Sequence, residues 1–118
     1  MTIDYGKIAV QVTKEFSKGG DVYAIWKNEH GKYSDKPTKG CPRSVFLALC
    51  ETERISGISK GNYSKRGVWK SIEHARELLG LIKTNPDITL KELSKPRCGK
   101  QSRAQVMFAL YKENLLLI

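Results

Sequence analysis

Apolar residues recur at spacings of three and four along much of the chain, and the points where that rhythm stops divide it into short helices. Tyr5, Ile8, Ala9, Val12 and Phe16 line one face of a first helix over residues 5–17, while Lys7, Gln11, Lys14 and Glu15 fall elsewhere. Gly19-Gly20 stops it, and Asp21 is placed to cap a short second helix that carries Val22, Ile25 and Trp26 and ends near Asn28. Residues 29–40 hold Gly31, Ser34, Asp35, Pro37 and Gly40 with little apolar content, so they read as an exposed loop. Pro42 suits the start of a third helix. Its Val45-Phe46-Leu47-Ala48-Leu49-Cys50 run is apolar nearly all round, which predicts burial on every side.

The second half has a similar order. Residues 56–70 contain Gly57, Gly61, Asn62 and Gly67 with four cations and no acid, and read as a connector. A fourth helix from Trp69 to Lys83 turns Trp69, Ile72, Ala75, Leu79 and Ile82 inward and is closed off at Asn85-Pro86. Thr89-Leu90-Lys91-Glu92 has the form of a capping box and opens a short fifth helix; Ser102-Arg103-Ala104-Gln105 has the same form and predicts a sixth. The tail Leu115-Leu116-Leu117-Ile118 is too apolar to hang in water, so it is expected to pack into the body or form a short strand.

Val45-Phe46-Leu47-Ala48-Leu49 aligns without a gap on Val106-Met107-Phe108-Ala109-Leu110, an offset of 61 residues (106 − 45). Each is preceded by a long amphipathic helix, a short capped helix and a basic loop, so the chain reads as two diverged copies of one three-helix unit, residues 4–58 and 68–118. The expectation is an all-α, six-helix single domain over residues 1–118.

With 118 residues, 40% of them hydrophobic, the chain can bury one core and is too short for two large ones. The longest apolar run falls far short of the ~20 residues of a membrane span. The start, Met1-Thr2-Ile3-Asp4-Tyr5-Gly6-Lys7, lacks the basic and apolar regions of a secretory signal, so a cytoplasmic location is expected. Cys41, Cys50 and Cys98 form an odd set without framework spacing and read as reduced thiols. The charge alters the picture most. Twenty-one Lys and Arg against twelve Asp and Glu leave +9, which makes polyanions the natural partners.

The segment Lys39-Gly40-Cys41-Pro42-Arg43, followed by Phe46-Leu47, Leu49-Cys50, Gly57-Ile58 and Gly61-Asn62-Tyr63, resembles a family of small uncharacterised bacterial and phage-borne proteins. The resemblance covers mainly residues 39–63 and more loosely the first and fourth helices. It implies a helical intracellular domain, and it carries no assigned activity, so no residue acquires a role from it.

Cations gather in loops and helix starts. The candidate nucleic-acid contacts are Lys39 and Arg43 in the first unit, Lys60, Lys65, Arg66 and Lys70 in the connector, and Lys95, Arg97, Lys100 and Arg103 in the second, with Tyr63 as a base-stacking ring. Loops leading into helix N-termini join side-chain cations to unpaired backbone N–H groups, which suits phosphate. A helix-turn-helix fits poorly: that motif needs a 3–4-residue turn, against the twelve residues 29–40, and the third and sixth helices are apolar in the middle, leaving only their first residues to reach bases.

Other chemistries find little support. His30 and His74 with three scattered thiols give no metal-ligand spacing, and no cofactor is expected. Gly99-Lys100-Gln101-Ser102 lacks both the earlier glycine and the hydroxyl residue after lysine that a phosphate-binding loop requires. His74 and Glu77, one turn apart, read as a surface hydrogen bond. An enzyme is therefore not expected, a reactive thiol at Cys41 being the one enzymatic alternative. The expected function is non-enzymatic nucleic-acid binding through phosphates, on DNA or RNA. The alternative is a regulator whose basic face meets an acidic protein.

Overall fold

The computed structural model describes residues 4–16, 19–34, 40–58, 69–100 and 102–117, with 41, 69 and 70 followed by their backbone alone. Six α-helices lie among them: α1 (Tyr5–Phe16), α2 (Val22–Gly31), α3 (Gly40–Glu51), α4 (Trp69–Thr84), α5 (Leu90–Ser94) and α6 (Arg103–Lys112). A single 3₁₀ turn, Arg97–Gly99, joins α5 to α6. The fold is all-α. The described part of the C-terminal tail forms one isolated antiparallel bridge, Ile55 to Leu116, in place of a strand.

Local signals set most helix ends. The Asp4 carboxylate accepts from Lys7 N at 3.1 Å at the start of α1, and Gly19, at φ +102°, receives the chain beyond its end. Asp21 caps α2 by accepting from Tyr23 N at 2.9 Å. At α5 the capping box is complete: Thr89 Oγ1 accepts from Glu92 N, and the Glu92 side chain accepts from Thr89 N.

Two expectations fail for tertiary reasons. First, α2 runs three residues past Asn28, because Glu29 and His30 are buried rather than looped out. Glu29 is held by Lys32 Nζ at 2.9 Å, and the His30 ring lies 5.9 Å from that of Tyr5 on α1. Second, the expected box at α6 does not form: Ser102 is left-handed at φ 67° and makes no side-chain cap. The Gln105 side-chain Oε1 accepts instead from Tyr5 N at 3.2 Å, so it caps the first turn of α1, one hundred residues away.

Helix α3 is the centre of the core, with Val45, Phe46, Leu47, Ala48, Leu49 and Cys50 all at 1% exposure or less, which an all-round apolar helix requires. Trp26 of α2 reaches it, its ring 5.3 Å from that of Phe46. Helix α1 packs on α6, α4 packs on α3, and α3 touches α6. The two halves of the chain therefore interlock. Gly6 permits the α1–α6 approach, since a Cβ there would sit 2.6 Å from Gln105 O and 2.7 Å from Ala109 Cβ.

Helices α3 and α6 end in the same structure. Glu53 and Asn114 are both left-handed at φ 57°. Arg54 N donates to Leu49 O, and Leu115 N to Leu110 O, each at 2.9 Å. Glu53 N donates to Cys50 O, and Asn114 N to Tyr111 O, completing a Schellman pattern twice. Both segments then enter the bridge, where Ser56 N donates to Leu115 O and Leu117 N to Arg54 O, each at 2.7 Å.

Candidate functional site

The second basic cluster folds into one tight turn. In the last turn of α5 Leu93 is fully buried, and Lys95 caps the helix from an exposed position. The 3₁₀ turn then places Cys98 and Gly99 inward, which leaves their neighbours Arg97 and Lys100 exposed on the outside. Gly99 is required, because its Cα lies so close to the Leu93 carbonyl that a Cβ would overlap it.

Arg103 locks this turn. Its Nη1 donates to Arg97 O at 3.2 Å and to Lys100 O at 3.3 Å, while Lys100 N donates to Arg97 O at 3.2 Å. The half-buried guanidinium thus holds the backbone while keeping a positive charge at the first turn of α6. Ser102, in the left-handed region just before α6, makes no side-chain cap to that helix, and Arg103 N donates to Lys100 O at 3.3 Å.

Beneath the turn lie titratable groups of α4. Half-buried His74 has its Nδ1 buried with no hydrogen-bond partner among the described residues. Burial lowers its pKa below the ordinary histidine value, and the charge of Arg103 and, more weakly, Arg97 lowers it further, against the opposing pull of Glu77 and Glu73. Cys98 is pushed up, first by burial and then by the neighbouring Glu77 carboxylate. That thiol is protonated and enclosed at neutral pH, unlike an activated nucleophile. Glu77, expected to pair with His74 at the surface, belongs to this cluster: it neighbours the Cys98 thiol, and its charge, with that of Glu73, opposes the effect of Arg103 and Arg97 on His74.

The other predicted contacts are placed differently. Arg43, in the first turn of α3, stacks on the Tyr23 ring at 5.1 Å and is half-buried, with Nε enclosed. Lys70 lies in the first turn of α4. Lys39, Lys60, Tyr63, Lys65 and Arg66 lie outside the described residues. The structure therefore brings together Lys95, Arg97, Lys100 and Arg103 and sets Arg43 apart on another helix.

One cationic surface was not read from the sequence. A groove of about 420 Å³ between α1 and α6 is lined by Lys7, Lys14 and Lys112 with Phe108, Asp4 and Glu113. Lys112 Nζ stands 5.3 Å from the Phe108 ring centroid. Each lysine looks like an ordinary solvated helix position, and only the packing of the first helix on the last makes them neighbours. No group of three or more His, Cys, Asp or Glu among the described residues is arranged to hold a metal. Among the described residues, no helix is long and apolar enough to cross a membrane.

The chain belongs to a family of unknown function, DUF6979, whose model matches residues 2–117. No curated protein and no solved structure matches it.

Proposed function

We propose that this member of the family is a non-enzymatic nucleic-acid-binding protein that contacts phosphates through the turn at residues 95–100 and the start of α6. The observation that carries the reading is the Arg103 lock on the carbonyls of Arg97 and Lys100. It fixes the turn so that the exposed Arg97 and Lys100 lie beside the first turn of α6, to which Ser102 makes no side-chain cap, and a preorganised site loses less entropy on binding. The net charge of +9 supports the same reading through long-range attraction of a polyanion. In this account Arg103 positions the turn, and Arg97, Lys100 and Lys95 meet phosphate.

The reading extends to the whole chain as two diverged copies of one unit. What supports it is that the helix ends at 53 and 114 share one conformation at the offset that aligns the apolar runs. Titration of labelled duplex DNA, single-stranded DNA and RNA at two salt concentrations tests the function. Recovery of one stoichiometric acidic protein from nuclease-treated extract, with no oligonucleotide binding, favours the protein-partner alternative.

A further inference from the structure

The groups beneath the basic turn have a use that phosphate contact alone does not give them. His74 is the one titratable side chain there whose charge changes near neutral pH. It feels two opposed sets of fixed charge: Arg103 of α6 and Arg97 of the 3₁₀ turn, both in elements packed against α4, disfavour its proton, and Glu73 and Glu77 of its own helix favour it. Cys98, the thiol of the turn, is enclosed and uncharged beside Glu77, and Lys95 and Lys100 are exposed on its outside. The guanidinium charges oppose a proton on His74, and its buried Nδ1 has no partner among the described residues.

We propose, on the reading that phosphates bind this turn, that His74 is its proton-linked element: an oligonucleotide bound against Arg97 and Lys100 brings a proton onto His74. The physical reason is electrostatic. Phosphate anions beside Arg97 and Lys100 offset the positive potential that disfavours the imidazolium, while Glu73 and Glu77 continue to favour it. Protonation and binding then assist one another, by the reciprocity that any two coupled equilibria obey. His74 contacts no phosphate in this scheme; it acts as a positioning residue through the charge it adds behind the turn.

The sign follows from the two protonation curves. Binding raises the His74 pKa from its lowered free value, so affinity increases as pH falls through the bound value and levels off below the free one. One proton limits the slope to about tenfold in Kd per pH unit. The test is fluorescence anisotropy of a labelled oligonucleotide with the intact protein at pH 5.5 to 8.0 and constant ionic strength, for wild type and His74→Gln. Wild type is expected to tighten about three- to tenfold per pH unit at the steepest point, and His74→Gln to lose that slope. NMR titration of the wild-type imidazole, free and with oligonucleotide, gives a second measurement that does not depend on the variant folding; the bound pKa is expected to be higher. Oligonucleotide binding with equal pH slopes in both proteins, or equal free and bound His74 titrations, overturns the linkage and leaves the phosphate site standing. No binding at any pH overturns the site itself, and the linkage with it.

Discussion

Ile55 and Leu116 face each other across an antiparallel bridge, and they stand 61 residues apart (116 − 55), the interval that also separates Val45 from Val106. The flanking hydrogen bonds, Ser56 N to Leu115 O and Leu117 N to Arg54 O, exchange under the same interval and have the same 2.7 Å length. Were the halves two copies of one unit, a local two-fold axis would pass between these segments, as in a symmetric dimer. The bridge ties the two halves at their shared edge. Leu116 is 8% exposed and its neighbour Leu117 46%. Leu116→Ala is expected to cost about 2–4 kcal/mol in urea denaturation, and Leu117→Ala within about 0.5 kcal/mol of wild type. Equal small effects would show that burial of the Leu116 side chain contributes nothing to holding the halves together.

Three glycines should respond to alanine with different signs. Gly6→Ala forces α1 away from Gln105 and Ala109, and overpacking of this kind costs about 1–3 kcal/mol. Gly99→Ala meets the Leu93 carbonyl, which is backbone and cannot turn aside, so its cost is expected at or above that range. Gly80, inside α4, has open space around it, and Gly80→Ala should stabilise by up to about 1 kcal/mol through helix propensity and reduced unfolded-state entropy. Thermal unfolding of the three variants checks the pattern, and a destabilised Gly80→Ala would contradict the placement of that face of α4 in solvent.

Stability should fall in mild acid. His30 is buried against Tyr5, and burial lowers its pKa; that of His74 is lowered too. The unfolded chain therefore takes up protons first as pH drops below about 6.5. The contribution of each histidine is complete above that value and is lost as pH falls toward the folded pKa, by at most about 1.4 kcal/mol per pH unit. Urea midpoints measured from pH 7.5 to 5.0 should decline, and His30→Gln, compared with itself across the same range, should decline less. A midpoint that rises toward acid would reverse the sign of both shifts.

The Cys50 and Cys98 thiols should be silent until the protein unfolds. Cys50 is fully enclosed within α3 and Cys98 lies under the basic turn, and burial is the first cause of the raised pKa in both. An exposed-thiol reagent at pH 7.5 is expected to modify at most one of the three cysteines in the native protein and all three in denaturant. Rapid native labelling of Cys98 would show that the turn opens readily.

The helices were legible in the sequence because local chemistry fixes them. Thr89 and Glu92 cap α5 with atoms of their own turn, and the unbroken apolar run after Ser44 has no solvent-facing solution, so its central burial follows. What the sequence did not disclose depends on distant partners. Gln105 has the spacing of a local cap, yet it serves Tyr5; Glu29 looks like a loop residue until Lys32 pairs with it on a buried helix turn. The site shows the same division. The basic composition of residues 95–103 is plain, but the 3₁₀ turn depends on Gly99 meeting Leu93 and on Arg103 folding back, and neither contact has a periodic signature. For the same reason Arg43 was grouped with the free cations, although Tyr23 occupies its guanidinium face.

The most direct measurement of the central claim is the salt-dependent binding of labelled duplex DNA, single-stranded DNA and RNA to the nuclease-treated protein at ~50 and ~200 mM salt. Wild type is compared with Arg97→Glu/Lys100→Glu and with Lys83→Glu, a charge reversal at the far end of α4. The account predicts that wild type binds at least one of the three and weakens steeply with salt. The double variant should lose about tenfold or more in affinity, with a salt slope shallower by about one to two, and Lys83→Glu should change little. No binding at ~50 mM salt, or equal losses in the double variant and Lys83→Glu, would contradict a phosphate site at the start of α6.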